Sequence, residues 1–303
     1  MKDMPKVLFI LGPTGAGKSS LAVDLALKFN GEIISADSVQ IFNEFNIGSA
    51  KITEEEKKGV VHYGIDIISP KETFSVYDYV NYTKIKIEEI SAKGKLPIIV
   101  GGTGLYVKSL IEGYNFGDTE RHDDFRAMLE KDLEEKGKEY LFNKLKSLDS
   151  VLASKIDKNN PVRLIRALEI ATFGSKQTKK SCDYDFKILA VCMDRQELYT
   201  KINARVDKMI KDGLIEEVKN LKNKYGEQSQ PMKAIGYKEV LLYLNGSLSK
   251  KETIELIKQH TRNYAKRQLT FLRGLENVTY IDNLDKEKAL ITAINEVEEW
   301  MKK

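Results

Sequence analysis

Val7-Leu8-Phe9-Ile10-Leu11 is a continuous apolar run of strand length that ends in a glycine-rich turn. Such runs suit a strand buried on both faces, as in a parallel sheet covered by helices. Helical spacing follows over Leu21–Phe29, and Glu32–Ala36 returns to strand character, closing a β-loop-α-β unit. Pro97-Ile98-Ile99-Val100 and Phe186–Met193 read as two more buried strands. Strands alternating with helices predict an α/β fold with a parallel sheet flanked by helices.

The texture changes between Asp118 and about Asp185. Glu120–Lys136, Glu139–Leu148 and Pro161–Phe173 have helical spacing, with no strand of comparable quality, and Pro161 sits where a first helical turn accepts it. This predicts an all-helical insertion over 118–184 in a core made of 1–117 and 185–303. Glu197–Lys222, Thr253–Leu272 and Lys286–Met301 complete the expected helices.

The 303 residues are enough for about two domains. Hydrophobic residues at 42% and charged residues at 31% describe a globular chain, not a disordered one. No apolar run approaches the roughly 18–20 residues that would span a bilayer, and the first residues lack a signal-peptide pattern. Cys182 and Cys192 form no C-x-x-C pair, so neither a disulfide framework nor a zinc site is expected and a reducing cytoplasm fits. The net charge of +4 argues against a tail-driven binder of nucleic acid. Its distribution changes that picture, because Lys250–Gly274 alone holds seven basic and two acidic residues.

Gly12-Pro13-Thr14-Gly15-Ala16-Gly17-Lys18-Ser19 matches G-x-x-x-x-G-K-[ST], after a buried strand and before a helix. Glycines let backbone N–H groups close around a phosphate, and the helix N-terminus adds partial positive charge. Lys18 would reach the outer phosphates and the Ser19 hydroxyl would ligate Mg²⁺. The sheet is accordingly expected to be P-loop NTPase-like. The acid best placed to serve this loop is Asp37, at the end of the second strand, where a metal ligand, a helix cap and a general base are all open readings.

Further segments bring a family into view: Ser35-Ala36-Asp37-Ser38-Val39-Gln40, Gly101-Gly102-Thr103-Gly104-Leu105-Tyr106, Arg163–Glu169, Ala234–Glu239 and Tyr264-Ala265-Lys266-Arg267-Gln268. With the phosphate loop, in this order, they make the chain resemble bacterial tRNA dimethylallyltransferases from about Val7 to Arg273. The resemblance implies that the loop, with Lys233 as a further basic position, holds the diphosphate of dimethylallyl diphosphate. It implies Mg²⁺ dependence, and an acceptor that is N6 of the adenosine immediately 3′ of the anticodon. It also implies that Ser38, Val39 and Gln40 bind the extruded nucleotide, that Thr103 contacts it, and that Arg126, Arg163 and Arg166 touch the anticodon stem-loop of tRNA from the helical part. The chain departs from the family pattern at Phe42-Asn43 and Val61-His62-Tyr63. It has no Cys/His finger pattern after Arg273, which favours the bacterial form.

The chemistry can be argued from the residues. An allylic diphosphate ionises with charge growing on the leaving group, which Lys18, Mg²⁺ and the loop amides would stabilise. The exocyclic amine of adenine is a poor nucleophile, and a carboxylate taking its proton would help by roughly 10²–10⁴-fold. Asp37 is the expected base, with a turn or N-cap role as the structural alternative. Lys258, Arg262 and Lys266 recur every four residues and share a helix face, flanked by Arg267, so this face is expected to track RNA phosphates. Rival readings are a small-molecule kinase, an isopentenyltransferase acting on free adenine nucleotides, and a non-catalytic RNA-binding switch. The protein is expected to work as a cytoplasmic monomer with no membrane partner.

Overall fold

The computed structural model describes residues 4–115, 122–174, 178–179 and 183–303. The chain divides into two compact units, 1–111 with 182–303, and 112–181. The expected boundary at 117/118, and Cys182, lie outside the described residues.

The first unit opens with β1 (Lys6–Leu11), α1 (Lys18–Lys28), β2 (Gly31–Ala36), α2 (Glu54–Lys57), β3 (His62–Tyr63), α3 (Val76–Ala92), β4 (Leu96–Gly101) and α4 (Gly104–Ile111). The second unit carries β5 (Tyr114–Asn115), α5 (Asp123–Leu148), α6 (Ser150–Lys155), α7 (Pro161–Phe173) and β6 (Thr178–Lys179). The chain returns to the first unit with β7 (Asp185–Cys192), α8 (Arg195–Lys211), α9 (Leu214–Tyr225), α10 (Tyr237–Leu244), α11 (Lys250–Arg273), β8 (Val278–Asp282) and α12 (Lys286–Met301).

The sheet of the first unit runs in the order β3-β2-β4-β1-β7-β8, and every pairing in it is parallel. β4 is buried along its whole length, and β1 and β2 at all but their first residue, as a sheet covered on both faces requires. The chain order reverses at β1, whose neighbours β4 and β7 lie on either side of it. Parallel α/β sheets open a crevice at such a point, beyond the C-terminal ends of the strands. The loops after β1, β2 and β4 leave from those ends.

The structure departs from expectation in several elements, and α3, α4, α10 and β3 are additions to those expected. Glu197–Lys222 is two helices, α8 and α9, because Gly213 takes φ +104° and starts α9 as its N-cap. β8 was not expected, since Val278–Asp282 alternates exposed and buried positions on a sheet edge and lacks the continuous apolar run of β1. In the second unit α5 breaks at Gly137, φ +78°, between the two helices the sequence predicts. Leu129, Leu141, Leu145, Leu164 and Leu168 form this unit's own core. Besides its helices it holds a two-residue antiparallel pair, β5 with β6.

Candidate active site

The phosphate loop joins β1 to α1. Gly17 is the N-cap of α1 with φ +87°, and a Cβ there would run into the Asn283 side chain, so only glycine fits. No side chain caps α1 and no acid stands in its first turn. Its orphan amides and positive dipole end are therefore available to an anion. Asn283, after β8, donates to the Ala16 carbonyl at 2.7 Å and holds the loop from behind. Lys18 Nζ donates to the Pro13 carbonyl at 2.8 Å. Burial, reinforced by Arg205 and opposed by Asp37, lowers Lys18 from 10.5 to about 7.

Asp37 follows β2 directly. Its Oδ1 accepts from Val39 N at 2.8 Å and Gln40 N at 3.2 Å, which fixes the carboxylate in a turn. Oδ2 makes no hydrogen bond to a described residue, so the turn role and a proton-accepting role fall to different oxygens of one carboxylate. Ser38 and Val39 line the cavity beside it. Gln40 lines it too, but its amide is already engaged: Oε1 accepts from Ser35 Oγ at 3.0 Å, and Nε2 donates to the Ser49 and Ala50 carbonyls at 3.2 and 3.4 Å. Gln40 thus braces the wall of the pocket that it lines.

Lys18, Ser19, Asp37, Arg205, Lys233 and Arg267 line one cavity of about 370 Å³ in the first unit. Ile33, Val100, Ile202, Val206, Met209 and Ile257 line the same cavity, giving an anion site and an apolar pocket together. Among the described residues no group of three or more His, Cys, Asp or Glu could hold a metal. The Ser19 hydroxyl faces this cavity without a hydrogen bond to any described residue. That suits Mg²⁺, which takes few protein ligands and completes its shell with phosphate oxygens and water.

Other expected site residues are placed differently. Thr103 is absent from the cavity wall, which Gly101 and Gly102 form, and its Oγ1 is buried without a hydrogen bond of good geometry. Tyr264, next to it, is raised to about 12 by burial and the Asp37 charge, with Thr103 and Gln268 pulling the other way. Arg126 grips Glu169 with two bonds, Nε to Oε1 at 3.0 Å and Nη2 to Oε2 at 2.7 Å, and Arg166 adds a third at 2.5 Å. The two arginines outweigh the burial of Glu169 and hold it down at about 2. Both cations are engaged by Glu169 within the helical unit, although the Arg166 side chain is still 41% exposed, and Arg163 is exposed.

The basic stripe of α11 also proves uneven. Lys258 pairs with Asp207 at 2.8 Å and Glu255 at 3.3 Å, and Arg262 donates to Asn203 at 2.6 Å. Both therefore tie α11 to α8. Lys266 and Arg267 are exposed, and Arg267 lies over the Tyr264 ring at 5.7 Å.

Arg205, Gln268 and Asn283 are site residues that sequence reasoning missed. Arg205 lines the cavity, is lowered by burial, and has no hydrogen bond or ion pair to a described residue. A signal for it existed. Leu198, Ile202 and Val206 mark the buried stripe of α8, and Arg205 falls on that stripe at helical spacing. A cation inside an apolar stripe needs an anion.

Residues 40–275 match the family model described as IPP transferase. The chain belongs to the IPP transferase family. The matched span begins after the phosphate loop and Asp37, but the similarity to whole proteins includes most of the chain. It is 46% identical to a protein of Acetivibrio thermocellus named tRNA dimethylallyltransferase, over 95% of this chain and 96% of that one. A protein of Oceanobacillus iheyensis with the same name is 44% identical over 90% of each chain. Among solved structures, the tRNA isopentenylpyrophosphate transferase of Bacillus halodurans superposes with a TM-score of 0.74 at 41% identity, covering 98% of both chains. A eukaryotic dimethylallyltransferase described as acting on tRNA gives 0.77 at 30% identity, covering 93% of this chain and 75% of that one.

Proposed function

We propose that this IPP transferase family member is a tRNA dimethylallyltransferase, moving the dimethylallyl group of dimethylallyl diphosphate to N6 of the adenosine immediately 3′ of the anticodon. The observation that carries this reading is the single cavity shared by the phosphate loop, the free oxygen of Asp37 and an aliphatic lining. The aliphatic wall beside the anion site suits the apolar dimethylallyl group of the donor.

In the reaction the carbon–oxygen bond to the diphosphate breaks, the N6–carbon bond forms, and the N6 proton passes to Asp37 Oδ2. Negative charge grows on the departing diphosphate, where Lys18, the α1 amides and Arg205 stabilise it. Burial lowers Lys18 to about 7, and a diphosphate beside it favours the charged form. Donor binding above neutral pH therefore takes up a proton. Ser19 would hold Mg²⁺, which supplies charge neutralisation of the leaving group. The aliphatic residues shelter the allylic cation character from water. The acceptor base sits in an RNA loop and must leave its stack to reach such a pocket. Exposed Lys266, Arg267 and, on the helical unit, Arg163 are the proposed phosphate contacts of the tRNA, and Lys233, in the cavity wall, is a further basic contact to the diphosphate.

Incubation with unmodified tRNA, dimethylallyl diphosphate and Mg²⁺, followed by mass spectrometry of the nucleosides, tests this. Prenylated adenosine in tRNA is expected. Prenylation of free adenine nucleotides in preference to tRNA, or ATP-dependent phosphorylation of a metabolite without prenyl transfer, overturns the reading.

A further inference from the structure

The cavity is assembled from loops that leave different strands, and one side chain joins two of them. Gln268 on α11 is buried, with 6% of its surface exposed. Its Oε1 accepts from the Thr14 backbone N–H at 2.9 Å, inside the phosphate loop after β1. Its Nε2 donates to the Gly102 carbonyl at 3.1 Å, in the turn after β4. A Cβ on Gly102 would collide with that amide, so the approach requires glycine at the turn. Gln268 also lines the cavity, together with Tyr264 and Arg267 of the same helix.

We propose that Gln268 is a positioning residue that sets the phosphate loop and the glycine-rich turn in one fixed relation, and so sets the distance between donor and acceptor. This rests on the prenyl-transfer reading above and extends it. The Thr14 amide is held by Gln268, so it is a fixed point of the loop. The Gly102 carbonyl is the equivalent fixed point of the turn that leads to Thr103. β1 and β4 are adjacent in the sheet through Leu11 and Gly101, but their register ends there. Beyond the strand ends the Gln268 amide takes over, with one acceptor and one donor in a rigid plane. In-line transfer between two bound substrates is sensitive to such offsets, because misplacement by an ångström costs about 10²-fold in rate.

The variant Gln268→Met keeps length and bulk while removing both hydrogen bonds. With both substrates saturating, kcat should fall by ~10–100-fold while each KM changes by less than about threefold, the signature of lost alignment without lost binding. Amide exchange should quicken together at Thr14 and across 102–106, a readout that needs no turnover. Gln268→Glu supplies the second variant. Its protonated carboxyl reproduces the donor and acceptor of the amide, so its kcat relative to the parent should recover as pH falls. An unchanged kcat, a rise in one KM alone, or faster exchange in only one of the two segments overturns the proposal. If the unsubstituted protein fails to prenylate tRNA, the functional reading falls separately, and the exchange experiment still decides whether Gln268 links the two loops.

Discussion

The cavity of the α/β unit and the core of the helical insertion both hold arginine near carboxylate, and they use it in opposite ways. In the insertion Arg126 and Arg166 saturate Glu169, leaving a closed network whose carboxyl is held at about 2. In the cavity Arg205 has no hydrogen-bonded or ion-paired partner among the described residues, Lys18 rests on a carbonyl, and Asp37 keeps one oxygen free. A buried cation without a counter-ion is costly unless a ligand supplies the charge. The difference between satisfied and unsatisfied charge marks the site more sharply than charge density does.

The largest effect should come from the free oxygen. Asp37→Asn keeps an oxygen able to accept from Val39 N and Gln40 N but removes the proton acceptor. Turnover should fall by ~10²–10⁴-fold, while binding of inorganic diphosphate changes little. Equal loss of both in calorimetry and kinetics would show Asp37 to be a ligand or a folding element instead. Next comes the unpartnered cation. Arg205→Gln should lower kcat/KM for the donor by ~10²–10³-fold and leave tRNA affinity, measured without donor, unchanged. A drop in tRNA affinity would move Arg205 out of the diphosphate site.

The closed network should break in stability, not in chemistry. Glu169→Gln leaves two arginines short of their counter-charge and should weaken amide protection over 122–173 by ~1–3 kcal/mol. The folded carboxyl is depressed from 4.5 to about 2. Its contribution is therefore complete above about pH 5 and is lost as pH falls towards 2. The gap between parent and variant should close over that interval. A gap that persists at pH 2 would assign the loss to packing.

Much of this was legible in the sequence, for identifiable reasons. The phosphate loop is a local pattern, and β1 and β4 are unbroken apolar runs that only a covered sheet accommodates. Asp37 could be placed by position, but its split role could not, because that depends on which oxygen meets the Val39 and Gln40 amides. The clamp of Arg126 and Arg166 on Glu169 was half legible, since Glu169 lies three residues from Arg166 and forty-three from Arg126. Sequence spacing on a single helix exposes the first relation and hides the second. Gln268 and Asn283 reach the phosphate loop from more than 250 residues away, and no local periodicity encodes that contact.

The smallest effect tests the same contrast on one helix. Lys258 and Lys266 lie eight residues apart on α11, yet Lys258 is neutralised by Asp207 and Glu255 while Lys266 is exposed. A cation already paired releases little counterion from RNA when it docks, because its charge is spent inside the protein. Each free cation that meets a phosphate should steepen the dependence of log affinity on log salt by about 0.7–0.9. Lys266→Ala with Arg267→Ala should therefore flatten the tRNA salt slope by roughly 1–2, and Lys258→Ala should leave it within about 0.3. If Lys258→Ala flattens the slope as much, the Asp207 pair opens on docking and the α11 stripe acts as a whole. Residual slope in the double variant would then include the share of Lys258 as well as that of Arg163, and adding Lys258→Ala and Arg163→Ala to the same titration should remove both.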